Sequence, residues 1–207
     1  KEEIIKFLDK NNISKTAKEI GAVNTIYKKN GVLFGENTDY YGFLETLKNH
    51  IKLESLKNQK ALILGSGGIA KAILYALRDL NMEIDVYSRT KKDTQTVFGK
   101  TMNKVQVKNN IHETKEYKLV VNATPVGMKD HEENKSPISS ELLHSEMICF
   151  DAIYNPKMTK FLKEAKKKGA KIISGLELLL FQGTKAFEIW TGEKAPIEIM
   201  KKAIDQD

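Results

Sequence analysis

The sequence is poor in several residue types that mark specialised classes of protein. Its 207 residues include one cysteine, Cys149, which cannot form a disulfide within the chain. Only 4 prolines and 13 glycines are present, and charged residues make up 29%. This composition excludes collagen-like, disordered and disulfide-rich proteins. No apolar run could span a bilayer and no signal-peptide pattern opens the chain, so we expect a globular cytoplasmic protein with no membrane partner.

Arginine is also scarce, because the 34 basic residues include only Arg78 and Arg89. The lysines are spread along the whole chain, and the net charge is +7. Nucleic-acid-binding proteins usually concentrate positive charge on one face and read base edges with arginine. We therefore interpret the charge as a solvated surface and predict no nucleic-acid partner. A nucleic-acid-binding regulator is the alternative that the charge alone would support.

Helical and hairpin patterns alternate at the start of the chain. Apolar side chains recur near helical spacing over residues 1–20, and residues 39–50 also look helical. Between these two predicted helices, β-prone residues flank Asn30-Gly31, a dipeptide that favours a tight hairpin turn. Thr38 or Asp39 is the expected N-cap of the second helix.

From residue 60 the pattern changes to strands that alternate with helices. An apolar run ends in glycines, a helical pattern follows, and residues 83–88 are again β-like. Strand, glycine-rich turn, helix and strand form a βαβ unit, which implies a parallel sheet covered by helices. Further strands are expected at residues 104–107, 119–124, 148–153 and 171–174, and further helices at 158–168, 176–190 and 197–204. Residues 129–145 are polar and predict a loop with a short helix.

Residues 65–70 read Gly-Ser-Gly-Gly-Ile-Ala, which fits the pattern G-x-G-x-x-A. The first small residue permits a tight turn, the second lets the backbone approach a pyrophosphate, and the third allows close packing of helix on strand. Because the match follows a predicted strand and opens a predicted helix, it favours a dinucleotide site over a purely structural turn. The cofactor-binding residues of this turn would be Gly65, Ser66, Gly67, Gly68 and Ile69. We therefore predict an α/β fold, a Rossmann-type doubly wound parallel sheet with a smaller second domain.

The residues after the second strand indicate which dinucleotide is bound. NAD-dependent enzymes place an acidic residue there, about 20 residues after the turn, to bind the ribose 2′-hydroxyl. This chain has instead Ser88, Arg89 and Thr90, followed by two lysines. Guanidinium and ammonium groups suit a 2′-phosphate by charge and by hydrogen bonding, so we predict NADP as the cofactor. The alternative is that these residues form a solvated turn.

Other polar residues are less informative on their own. Asn24 could bind a substrate hydroxyl and Asp39 could act as an acid or base, but a turn residue and an N-cap are the simpler interpretations. The histidines show no metal-ligand spacing with one another or with Cys149, so no metal site is predicted. The residues alone leave the substrate open.

Seven motifs in a fixed order connect these features to a known family. They are GAVNT, GENTDYYGF, GSGGIAKA, SRT, NATPVGM, DAIYNP and GLELLLFQGTKAFEIWTG. In content and order they resemble shikimate dehydrogenase, a NADP-dependent family, over essentially all 207 residues. The resemblance implies reversible reduction of 3-dehydroshikimate to shikimate in aromatic amino-acid biosynthesis.

The resemblance also implies roles for individual residues. In the family a Lys–Asp pair serves the alcohol–ketone interconversion, and its Asp, in the NTD motif, is Asp39 here. Lys1 stands at about the family's distance before GAVNT, so it resembles the catalytic lysine. On the substrate side the matching residues are Asn24, Tyr154 and Gln182. Next to the nicotinamide they are Ala152 and Gly175, and the loop under the cofactor resembles residues 122–125.

The resemblance predicts three parts of the chain and also shows a departure from the family. Residues 1–55 would be the remainder of the substrate domain, 56–175 the NADP-binding domain, and 176–207 helices that pack back toward the substrate domain. The segment that the family carries before its lysine is not in the sequence, so we expect a truncated smaller α/β domain. The alternatives are a NAD-using quinate/shikimate dehydrogenase and a catalytically impaired cofactor-binding fragment. A monomer and a homodimer both fit the sequence.

Overall fold

The computed structural model describes residues 1–88, 105–108 and 110–205. The predicted cofactor residues Arg89 and Thr90 therefore lie outside the described residues. None of the described helices has the length and apolar character needed to cross a membrane.

The chain begins with short helical turns, so the prediction of one helix over residues 1–20 is wrong. The elements there are two 3-10 helices, Glu3–Phe7 and Lys10–Asn12, and the first α-helix, α1, Lys15–Ile20. Polar side chains inside the segment bind the backbone and interrupt the helix. The Asp9 carboxylate accepts a hydrogen bond from the N–H of Asn11 (2.8 Å), and the Ser14 hydroxyl caps α1 at the N–H of Ala17 (3.1 Å).

A β-hairpin follows α1, as predicted from the Asn30-Gly31 turn. Its strands β1 (Thr25–Lys29) and β2 (Val32–Glu36) pair antiparallel. Both turn residues have positive φ, 49° and 82°, as a type I′ turn requires. The second predicted helix is confirmed as α2 (Asp39–His50), with Thr38 at the N-cap position but without a side-chain cap hydrogen bond.

The larger of the two described sheets is parallel and has six strands. The strands are β3 (Lys60–Leu64), β4 (Glu83–Tyr87), β5 (Val105–Lys108), β6 (Tyr117–Asn122), β7 (Ile148–Asp151) and β8 (Lys171–Ile173). They lie in the order β5-β4-β3-β6-β7-β8, and every pair is parallel. The order reverses between β3 and β6, which is the switch point where dinucleotides bind in this architecture. The prediction of a Rossmann-type sheet is confirmed.

Helices cover both faces of the sheet. Side chains of α2, α3 (Gly68–Asp79) and α5 (Leu176–Thr191) join the core on one face, and those of α4 (Lys160–Lys167) join the core on the other. The last described helix, α6 (Ile197–Asp205), packs against α5. Alternate residues of β3 face opposite sides, so Ile63 joins the core under α2 and α3, whereas Leu62 joins the core under α4. Cys149 is fully buried in the second core, and burial raises the pKa of its thiol to about 12.

One of the two arginines joins the start of the chain to α3. The Arg78 guanidinium lies 3.9 Å from the centre of the Tyr75 ring and binds the carboxylates of Glu19 (3.4 Å) and Asp79 (3.1 Å). Tyr75 also donates to Glu19 (2.8 Å), which lies in α1. A planar guanidinium can stack and form several hydrogen bonds at once, which a lysine ammonium cannot do.

Candidate active site

Lys1 and Asp39 form an ion pair, with 2.5 Å between the lysine Nζ and the aspartate Oδ2. Asp39 is the first residue of α2, where the helix dipole stabilises a negative charge. Its side chain is 4% exposed, whereas that of Lys1 is 43% exposed. The Lys1 carbonyl accepts the N–H of Val23 (3.0 Å), so the lysine is held at both ends. The Lys1 ammonium group is therefore accessible to solvent and is held in place by the buried Asp39 carboxylate.

Asn24 holds Asp39 in this orientation. Its amide nitrogen donates to Asp39 Oδ1 (2.9 Å) and to the Thr38 hydroxyl (3.0 Å). Its amide oxygen accepts from the Thr38 N–H (2.8 Å) and the Thr25 hydroxyl (3.0 Å). All four hydrogen-bonding positions of this amide are therefore used within the protein. The structure thus places Asn24 as a support for Asp39.

A close approach of α2 and α5 brings Gln182 near Thr38, next to the Lys1–Asp39 pair. A Cβ on Gly42 of α2 would lie 2.8 Å from the Leu178 carbonyl oxygen and the Gln182 nitrogen of α5, so only glycine permits this packing. Gln182 Oε1 then lies 3.5 Å from the Thr38 hydroxyl, and its amide nitrogen donates to the Leu179 carbonyl (3.0 Å).

One cavity of about 660 Å³ brings together the predicted catalytic pair and several of the predicted substrate and cofactor residues. The predicted residues that line it are Lys1, Asp39, Ile69, Ala152, Tyr154 and Gln182, together with Thr124 and Pro125 of the predicted loop. Tyr154 is half exposed at its rim. Asn24 contacts Asp39 but is not among the residues that line the cavity. The cavity is large enough for a small cyclic substrate beside a nicotinamide.

The glycine turn has the shape that a bound dinucleotide requires. Gly65 has φ 114°, and a Cβ there would lie 2.7 Å from the Ala123 carbonyl oxygen, so no other residue fits. Gly67 is the N-cap of α3 and has no side-chain cap, and a Cβ there would meet no protein atom within 4 Å. The open space beside Gly67 leaves room for a phosphate at the start of α3, where the first N–H groups of a helix have no partner within the helix. The hydroxyls of Ser66 and Ser88 lie 3.1 Å apart and connect this turn to the end of β4.

Two further glycines lie against predicted site residues. A Cβ on Gly68 would lie 3.5 Å from the Cβ and Cδ of Lys1, so the lysine side chain packs over the glycine turn. A Cβ on Gly175 would lie 2.4 Å from the Ala152 carbonyl oxygen. Gly175 therefore lies directly behind Ala152 and fixes the loop that follows β7.

A buried carboxylate supports two loops on the cofactor side of the cavity, the loop after β6 and the loop after β7. Asp151 is fully buried at the end of β7, where it accepts from the Thr159 hydroxyl (2.6 Å), the Ile153 N–H (3.0 Å) and the Asn122 amide (3.0 Å). Asn122 in turn accepts from the Thr124 hydroxyl (2.7 Å). Burial raises the pKa of the Asp151 carboxyl to about 6, although these hydrogen bonds act in the opposite direction.

Comparison with known proteins gives the family. Residues 175–204 match the model of the shikimate 5′-dehydrogenase C-terminal domain. A shikimate dehydrogenase (NADP(+)) from Carboxydothermus hydrogenoformans is 41% identical, over 99% of this chain and 74% of the relative's length. The chain belongs to the shikimate dehydrogenase family. It spans about three quarters of the length of this relative.

Solved shikimate dehydrogenases have the same fold. One in complex with NADP+ is 36% identical with a TM-score of 0.89, over 100% of this chain and 73% of its own. Another, from Thermus thermophilus in complex with NADP(H) and shikimate, is 39% identical with a TM-score of 0.85, over 100% of this chain and 75% of its own. The resemblance inferred from the seven motifs is confirmed.

Three residues of this shikimate dehydrogenase site were not singled out from the sequence. Asp151 lies within the DAIYNP motif, and a charged residue at the end of a buried strand was the available signal. Glu2, the neighbour of Lys1 in the chain, forms an ion pair with Lys71, with 3.0 Å between Glu2 Oε2 and Lys71 Nζ. No local sequence pattern connects two residues so far apart in the chain.

Proposed function

We propose that this chain catalyses the NADP-dependent interconversion of shikimate and 3-dehydroshikimate. The observation that carries this proposal is the ion pair of Lys1 and Asp39, with 2.5 Å between Nζ and Oδ2. This pair lines the same cavity as Ile69 of the glycine turn. A proton donor and a dinucleotide turn at one cavity are the two components that a carbonyl reductase needs. Membership of the shikimate dehydrogenase family supports the choice of substrate.

The glycine turn would hold the cofactor. NADPH, when bound, supplies the hydride for the carbonyl carbon. Gly67, Gly68 and the first N–H groups of α3 would bind the pyrophosphate, because the structure leaves open space beside Gly67 at the start of the helix. We propose that Arg89 and Thr90, with Ser88, bind the 2′-phosphate, since no acidic residue occupies those positions. Ala152 would face the nicotinamide, with Gly175 supporting it.

Lys1 would serve as the general acid. Its ammonium donates a proton to the substrate oxygen as that oxygen gains negative charge, and the lysine nitrogen accepts the proton in the reverse reaction. Asp39 holds the lysine nitrogen at the cavity wall, and Asn24 fixes Asp39 through the hydrogen bond to Oδ1. This preorganisation places the donor before the substrate arrives, which lowers the barrier.

Gln182 and Tyr154 would recognise the substrate, because both line the cavity. The Gln182 amide approaches from α5, and the half-exposed Tyr154 hydroxyl approaches from the loop after β7. Both groups can donate to and accept from ring hydroxyls. We further propose that residues 1–55 act as a substrate domain, residues 56–175 as a cofactor domain, and residues 176–207 as helices that return to the first.

The direct test is an assay with shikimate and NADP+, using protein expressed from its full open reading frame. We expect the absorbance of NADPH to rise only when shikimate is present, and NAD+ or quinate to give a lower kcat/KM. Absence of any shikimate-dependent signal, while a known shikimate dehydrogenase is active in the same assay, would contradict the proposal. A preference for NAD+ would favour the alternative of a quinate/shikimate dehydrogenase.

The cofactor assignment has its own test in Arg89→Ala. Loss of a charged hydrogen bond to the 2′-phosphate is expected to raise the KM for NADP+ about 10- to 100-fold. The KM for NAD+, which has no 2′-phosphate, serves as the internal control and should not change. An unchanged KM for NADP+ would show that Arg89 does not select the cofactor.

A further inference from the structure

Lys71 is a largely buried lysine close to the active site. It lies in the first turn of α3, four residues after the N-cap Gly67, and its side chain is only 13% exposed. Its Nζ lies 3.0 Å from Oε2 of Glu2, whose side chain is 50% exposed. A lysine is rarely this inaccessible without an anionic partner, and the start of a helix disfavours a positive charge. The ion pair with Glu2 therefore gives this lysine a reason to occupy the position.

The pair lies next to the reacting groups. Glu2 is bonded directly to Lys1, and the Lys1 stem packs over Gly68, the first residue of α3. Lys1 is already fixed at its tip by Asp39 and at its carbonyl by Val23. The Glu2–Lys71 pair adds a connection between the main chain that carries Lys1 and the helix that begins at the glycine turn.

We propose that Lys71 is a positioning residue, which acts through Glu2 to hold Lys1 at a fixed distance from the cofactor turn. This inference rests on the proposed function, because it assigns Lys1 the role of proton donor. The donor belongs to the first residues of the chain, whereas the cofactor turn belongs to the parallel sheet. Transfer of a proton and a hydride to one carbonyl requires both parts to be held in register, and a misplacement of about 1 Å can lower a rate about 100-fold.

An exposed ion pair of the same length provides a matched control. Lys6 and Glu3 are also 3.0 Å apart, but both side chains are largely exposed. Glu3→Gln removes a carboxylate one residue away from Glu2, so it controls for the loss of one negative charge near Lys1. Exposed pairs of this kind contribute little to stability.

The test compares Glu2→Gln, Lys71→Met and Glu3→Gln in enzyme expressed from its full open reading frame. We expect kcat to fall about 5- to 100-fold in the first two variants. The KM values for shikimate and NADP+ should change less than about 2-fold, because the binding groups remain in place. Glu3→Gln should keep the wild-type kcat. The swapped pair Glu2→Lys with Lys71→Glu should recover most of the lost kcat, since the connection is restored with reversed charges.

Two results with an active wild-type enzyme overturn the inference. If Glu2→Gln and Lys71→Met only lower the melting temperature and leave kcat unchanged, the pair is purely structural. If Lys71→Met raises the KM for NADP+ while Glu2→Gln has no effect, Lys71 binds the cofactor directly. If Lys71→Met does not fold, Glu2→Gln decides the question, because its side chain is half exposed. A wild-type enzyme that does not oxidise shikimate overturns the proposed function and the inference with it, whereas an active wild type with unaffected variants overturns the inference alone.

Discussion

Replacing the buried Asp151 by asparagine should change how stability depends on pH. The carboxylate has no exposed surface and accepts hydrogen bonds from Thr159, Ile153 and Asn122. Asparagine has the same shape and can still accept with its oxygen, while its amide nitrogen can donate to the Thr159 hydroxyl. The substitution therefore removes the ionisation and keeps most of the packing.

The magnitude follows from the raised pKa of Asp151. Burial raises this pKa from 3.8 to about 6, and a shift of roughly two units corresponds to about 3 kcal/mol. The folded state binds the proton more tightly than the unfolded state, so the associated stability is fully present below pH 3.8 and is lost as the pH rises through about 6. Relative to Asp151→Asn, the natural protein should thus lose about 3 kcal/mol between roughly pH 4 and pH 7.

Urea unfolding at closely spaced pH values measures this difference directly. We expect the difference in unfolding free energy between the natural protein and Asp151→Asn to change steadily as the pH rises, with the natural protein losing stability relative to the variant. Glu133→Gln, which removes an exposed carboxylate, is the control and should give a difference that does not follow this course. A difference that stays constant, or that moves in favour of the natural protein as the pH rises, would show that the hydrogen bonds outweigh burial at Asp151 and would refute the reasoning.

Two further substitutions test the packing around the site. Gly175→Ala places a Cβ 2.4 Å from the Ala152 carbonyl oxygen, so it should lower the free energy of unfolding in urea by about 1–3 kcal/mol. Gly183→Ala, in the helix that follows, is the control: its Cβ would lie 3.6 Å from the nearest atom, so it should not destabilise the protein. Equal effects of the two alanines would contradict this. Trp190→Phe removes the hydrogen bond from Nε1 to the Ile26 carbonyl (2.9 Å). This change should lower the free energy of unfolding by about 1 kcal/mol and leave kcat unchanged. An unchanged melting temperature would show that this hydrogen bond does not contribute to stability.

Features with a local physical cause could be predicted from the sequence. The glycine turn could be recognised because Gly65 needs a positive φ, which restricts the residue type, and because the pattern stands between a strand and a helix. The buried strands could be recognised because both faces of a parallel sheet are covered, which requires continuous apolar runs. The hairpin followed from the preference of Asn30-Gly31 for positive φ.

Features that depend on contacts between distant residues could not be predicted in this way. The helix expected over residues 1–20 is interrupted because Asp9 and Ser14 bind backbone N–H groups, and periodicity does not register this competition. The hydrogen bonds from Asn24 to Thr38 and Asp39 form only in the folded protein, because these two partners lie 14 and 15 positions further along the chain. The Glu2–Lys71 pair forms only once α3 packs against the start of the chain.

In the proposed reaction, Lys1 donates the proton and the glycine turn holds the cofactor. The most direct test of these roles is the kcat of Lys1→Met in the shikimate assay, together with the KM for NADP+ and with Lys6→Met as the exposed-lysine control. We predict that kcat falls about 100- to 10,000-fold in Lys1→Met, that the KM for NADP+ stays within about 2-fold of wild type, and that Lys6→Met is fully active. A Lys1→Met enzyme with the wild-type kcat would contradict the account.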